Sequence, residues 1–191
     1  MGVKNEAWIE YCTNKKAISF WGSGFVDEEE RPFAMAFNDF LYGLSRGKKV
    51  FLSGYRFFEE DFAKVVDAGR ILDRAEVLLN PFLVFLNVSG AKINTHHCGC
   101  ACQIDVWYFD DKVEWVDFLA TDKQHLWKMS QKALVAHFQA DDHGAGFYFR
   151  CGRDQEESVL KLLRTLSDLG CKVKKVSRYF GDYGLPNVRE V

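Results

Sequence analysis

Hydropathy alternates most regularly from Cys98 to Phe109. Cys98, Cys100, Cys102, Ile104, Val106 and Tyr108 share one side of an extended chain; Gly99, Ala101, Gln103, Asp105, Trp107 and Phe109 share the other. Successive side chains of a strand face opposite sides of a sheet, so the first set predicts the core face of a central strand. Asp110-Asp111-Lys112 reads as a turn and Val113 to Ala120 as a second strand-like run. Together they predict a central hairpin over about 98–120.

On the N-terminal side, Glu6 to Cys12 is a short amphipathic piece of helix or strand. Ala17 to Trp21 predicts a strand closed by Gly22-Ser23-Gly24. Pro32 suits the first turn of a helix, where its missing N–H costs nothing. Phe33, Phe37, Phe40, Leu41 and Leu44 follow at helical spacing, and Gly47 is the stop. Lys48 to Ser53 predicts a strand, about Phe57 to Leu79 a helix, and Phe82 to Val88 a strand covered on both faces.

Beyond the hairpin, a helix is expected to end near Gln139. Gly146 to Cys151 predicts a strand. Asp154 and Glu157 have the spacing of a capping box before a leucine-rich helix that ends at Gly170, and Cys171 to Tyr179 predicts a basic last strand. The expected fold is α+β, with α/β as the alternative. It is a single mixed sheet with helices packed on it, containing the hairpin and a strand–helix–strand unit about 146–179. One domain over 1–191 accommodates this order, and the polar connector at 90–96 is the natural place for any subdivision.

Composition narrows the picture. Among 191 residues, 17 Phe and five Trp suffice for a large core. A net charge of −2 argues against a chain-wide polyanion binder. No apolar run approaches the ~20 residues that cross a bilayer, so no membrane partner is expected. The opening MGVKNEAWIEYCTNKK lacks a basic-then-apolar leader. The expected compartment is the cytoplasm, with the six cysteines as reduced thiols. Gly22-Ser23-Gly24 has no third glycine and runs into the acids Asp27 to Glu30, which would repel a phosphate.

His96, His97, Cys98, Cys100 and Cys102 are the densest set of metal-ligating side chains. Thiolates around zinc stand roughly 3.7 Å apart, whereas residues two apart on a strand are separated by about 6.6 Å. Three successive cysteines on a regular strand therefore cannot converge on one ion. Core packing of small apolar thiols is the favoured reading, and a zinc site using His97, Cys98, Cys100 and Cys102 is the alternative.

Charge is uneven. Six acids face one base between Asp105 and Asp122, and eight bases face four acids between Arg150 and Arg178. Lys172, Lys174, Lys175 and Arg178, near Tyr179 and Phe180, could follow a nucleic-acid backbone. A lysine-protected sheet edge is the preferred reading. Asp105 and Asp117 would sit in the two arms of the hairpin, with Asp117 partly buried between Trp115 and Leu119. No catalytic motif appears. The leading expectation is a non-enzymatic cytosolic binding protein for a protein or small-ligand partner. The alternatives are a hydrolase- or transferase-type enzyme built from His96, Asp105 and Asp117, and a metal-binding protein.

Overall fold

The computed structural model describes residues 7–14, 17–25, 28–55, 66–67, 70–77, 80–89, 92–93, 104–110, 112–120, 134–140 and 146–176. Nine strands form one sheet. They are β1 (Trp8–Thr13), β2 (Ala17–Ser23), β3 (Lys49–Tyr55), β5 (Arg70–Val77), β6 (Asn80–Ser89), β8 (Asp105–Phe109), β9 (Leu134–Ala140), β10 (Gly146–Gly152) and β11 (Lys172–Lys175). Their order is β11-β1-β2-β10-β9-β8-β3-β6-β5. A two-residue pair, β4 (Val66–Asp67) with β7 (Lys92–Ile93), stands apart. Among the described strands of the sheet, only β1 and β11 pair in parallel; the other pairings are antiparallel. With helices α1 (Arg31–Ser45), α2 (Trp115–Ala120) and α3 (Glu156–Asp168), this is a mixed α+β architecture.

The main core lies on the side of the sheet that carries α1 and α3. Helix α1 contributes Ala34, Phe37, Leu41 and Leu44; α3 contributes Val159, Leu162, Leu163 and Leu166. The Phe37 ring packs tilted against Phe147 at 4.7 Å, and Phe20 stacks over Phe149 at 4.7 Å. Pro32 occupies the first turn of α1. Both helices stop where expected, at Gly47 (φ 67°) and Gly170 (φ 100°), the left-handed backbone that glycine adopts without strain. The capping box does not form: Gln155 is the N-cap of α3, no side chain caps it, and Asp154 instead accepts from the Gln155 amide at 2.9 Å.

The opposite side holds a second aromatic cluster of Phe51, Phe85, Trp107, Phe109, Phe118 and Leu134. Short helix α2 closes it. Trp115, Phe118 and Leu119, spaced i, i+3 and i+4, face the sheet, with Phe118 4.6 Å from Phe51 and 5.3 Å from Trp107. The second arm of the expected hairpin is therefore a helix. Its alternation of Val113, Trp115 and Leu119 also fits a helical face, and eight residues are too few to separate the two periods. From Ile104 to Phe109 the expected alternation holds: Ile104, Val106 and Tyr108 enter the main core, while Trp107 and Phe109 enter the second cluster. The earlier half, including Cys98, Cys100 and Cys102, lies outside the described residues.

Two expected helices are strands in their described parts. Arg70–Val77 pairs antiparallel with β6 at the sheet edge, with a register shift between Ile71 and Asp73. Ile71 and Leu72, read as a helical face, are more than half exposed. Leu134–Ala140, expected to end a helix near Gln139, is the fifth of the nine strands. It is covered on both faces, which removes alternation and leaves a nearly continuous apolar run. The strand–helix–strand unit forms as β10, α3 and β11. β2 and β1 intervene between its two strands, which run in the same direction.

Candidate functional site

The pairing register sets polar and aromatic side chains in two rows on the α2 side of the sheet. One row runs Lys174, Glu10, Trp21, Tyr148, Gln139, Asp105, Ser53 across seven adjacent strands. The next runs Cys12, Ser19, Arg150, His137, Trp107, Phe51 across six. Residues opposite one another on neighbouring strands are within side-chain reach. Aromatic packing under α2 fills the β8–β3–β6 half of this face. On the β1–β2–β10 half, Glu10, Trp21, Tyr148 and Arg150 are half-buried.

Asp105 and His137 meet where the two halves join. His137 Nε2 lies 2.8 Å from Asp105 Oδ1, with side-chain exposures of 6% and 21%. The Trp107 ring stacks on the imidazole at 5.4 Å and 9°. The Tyr148 ring stands 6.4 Å away on the other strand, and its hydroxyl donates to Ser19 Oγ at 3.3 Å. His137 Nδ1 is buried and makes no hydrogen bond. A carboxylate accepting from Nε2–H orients the imidazole and directs the lone pair to Nδ1.

Of the residues singled out from sequence, Asp105 is in this cluster. Asp117 is not: it sits on the exposed side of α2, so the two carboxylates do not face each other across a hairpin. His96, His97, Cys98, Cys100, Cys102 and Arg178 lie outside the described residues. Lys172, Lys174 and Lys175 lie on edge strand β11, where Lys174 Nζ is 3.4 Å from Glu10 Oε1. Lysines on an edge discourage pairing with another chain. His137 was missed as a partner for Asp105 because its segment read as a helix. As a strand, a histidine inside LVAHF has to face a neighbouring polar group or leave a nitrogen unsatisfied.

Cys12, Cys151 and Cys171 are free, buried thiols. Burial pushes the Cys151 thiol up to about 12, with the Asp154 charge adding to it. Cys171 rises to about 11, from burial and then from Glu30. Burial also raises Cys12, against an opposing pull from Lys175. At neutral pH these three are protonated and offer no thiolate nucleophile. Among the described residues no group of three or more metal-ligating side chains is close enough to hold an ion. No described helix is long and apolar enough to cross a membrane.

The Cys151 thiol has a consequence for alkaline stability. Below pH ~9 it is protonated in both the folded and unfolded chain. Between pH ~9 and its folded value near 12, the unfolded chain loses the proton and the folded chain keeps it, so stability falls as pH rises. The expected slope is up to about 1.4 kcal/mol per pH unit from this thiol. Urea midpoints taken from pH 8 to 10.5 should fall more steeply for the native chain than for Cys151→Ala. Parallel curves would show that burial does not hold this proton.

No protein-family model matches this chain, and no curated protein or solved structure matches it.

Proposed function

We propose that the chain is a non-enzymatic binding protein that takes its protein or small-ligand partner on the α2 side of the sheet. The observation that supports this most is the half-buried pair Trp21 and Tyr148, opposite each other on β2 and β10. Glu10 and Arg150 flank them, on a part of the face over which no described helix packs. Tryptophan, tyrosine and arginine are the residue types that dominate recognition surfaces. The opposite face carries α1 and α3.

A double variant, Trp21→Ser with Tyr148→Ser, tests the reading. Partners recovered on the native chain from extracts of its own cells should be lost, or bound at least about tenfold more weakly, by the double variant. Its circular dichroism should stay native. Equal recovery by both proteins would place binding elsewhere, and no reproducible partner would contradict the reading.

The Asp105–His137 pair favours a second reading, a hydrolase- or transferase-type enzyme in which His137 acts as general base. Among the described residues no serine or cysteine is hydrogen-bonded to His137, so the binding reading has the better support.

A further inference from the structure

We propose that the groove between α1 and α3 binds a small zwitterion with an apolar body, the class of the free apolar amino acids, its ammonium on Asp39 and its carboxylate on Lys161. The site lies on the other side of the sheet from the recognition face above and is independent of it. The groove has a volume of about 450 Å³, within the range of small-molecule sites. Residues three and four apart share one face of a helix. On α1 that spacing lines one wall with Asp39, Phe40, Gly43 and Leu44; on α3 it lines the other with Lys161 and Leu162. Leu44 and Leu162 are buried and Phe40 is half-buried, so the floor is apolar. The Phe40 ring rests 5.3 Å from Phe149 of β10, which ties the floor to the sheet before any ligand arrives.

The rim supplies the charges. Asp39 and Lys161 are exposed, one on each wall, and neither side chain pairs with the other or with another described group. A molecule carrying both signs answers both walls; a molecule with one charge answers one and leaves the other unmatched. Gly43 is a separate observation that points to the same place. Glycine inside a helix is unfavourable relative to alanine, and it is useful where something must approach the backbone closely. Its backbone here is ordinary helix, not the left-handed region of Gly47 and Gly170. A Cβ at this position would meet no atom within 4 Å, so packing inside the chain does not call for glycine either. A ligand lying against the bare backbone of α1 does.

L-phenylalanine, phenethylamine and 3-phenylpropionate separate the contributions, because they share a ring and differ in which charge they keep. Each is titrated into the full-length chain labelled with nitrogen-15, and the amide signals of α1 and α3 are followed. L-phenylalanine should shift the amides around Gly43 and Lys161 and bind at least about tenfold more tightly than either singly charged analogue. Asp39→Asn should weaken L-phenylalanine and phenethylamine and leave 3-phenylpropionate unchanged; Lys161→Gln should weaken L-phenylalanine and 3-phenylpropionate and leave phenethylamine unchanged. Gly43→Leu should fill the groove and abolish binding while circular dichroism stays native. No shift of these amides at millimolar L-phenylalanine, equal binding of the three compounds, or charge variants that bind like the native chain would overturn the proposal. So would undiminished binding by a folded Gly43→Leu chain. None of these results touches partner recovery through Trp21 and Tyr148, which stands or falls by its own test.

Discussion

Phe37→Ala is expected to lower the stability of the fold by about 3–5 kcal/mol, the cost of emptying a buried phenylalanine site. Phe37 is fully buried on α1 and touches rings from four other segments. Phe20 lies at 5.8 Å, Phe25 at 6.2 Å, Phe138 at 5.8 Å and Phe147 at 4.7 Å. These neighbours are on β2, β9, β10 and the segment after β2, so the cavity would open where helix and sheet meet. Domains of this size are stable by roughly 5–15 kcal/mol, and such a loss would take a large share of it. Urea unfolding followed by circular dichroism measures it. Phe37→Leu should cost less, because most of the volume stays. A change below 1 kcal/mol for the alanine variant would mean that α1 is not seated on the sheet by this ring.

Phe118→Ala is expected to cost a similar 3–5 kcal/mol in the second cluster but with a different signature. Helix α2 has only six residues, far below the roughly 12–15 that an isolated helix needs to be even marginally stable in water. It is therefore held by the packing of Trp115, Phe118 and Leu119. Phe118 is the central ring, near Phe51, Phe85, Trp107, Phe109 and Trp115. Its removal should release α2 and wet Trp107 and Trp115 before the sheet unfolds. Tryptophan emission should move to longer wavelength at urea concentrations where the far-ultraviolet signal is still native. A single coincident transition for both signals would show that α2 is part of the main cooperative unit.

Sequence carried the mixed α+β class and the elements around α1 and α3 well. Pro32, the phenylalanines of α1, Gly47 and the leucines of α3 are local signals, each with its own physical cause, and the structure agrees with them. It was least informative in the middle. Arg70–Val77 has charges and aliphatics at spacings that fit a helix, and only its pairing with β6 makes it a strand. Leu134–Ala140 is buried on both faces by elements distant in sequence, so its own pattern holds no period. Trp115–Ala120 is helical because its aromatic residues meet Phe51 and Trp107, which no short window reveals.

The same causes governed the site. Asp105 is legible from sequence as one of two acids that a hairpin would set on facing arms. Its partner His137, 32 residues later, becomes visible only once β9 is placed beside β8. The pair with Asp117 failed because the segment after Asp110 turns into a helix and points that carboxylate outward. Cys12, Cys151 and Cys171 are free, buried thiols, while Cys98, Cys100 and Cys102, for which core packing was the favoured reading, lie outside the described residues.

The most direct test of the account is to map where a recovered partner protects the backbone from hydrogen exchange. Protection is expected in β2, β9 and β10, at Trp21, Gln139, Tyr148 and Arg150, with α1 and α3 unchanged. Protection confined to α1 and α3 would contradict the account by placing recognition on the opposite side of the sheet from the Asp105–His137 pair.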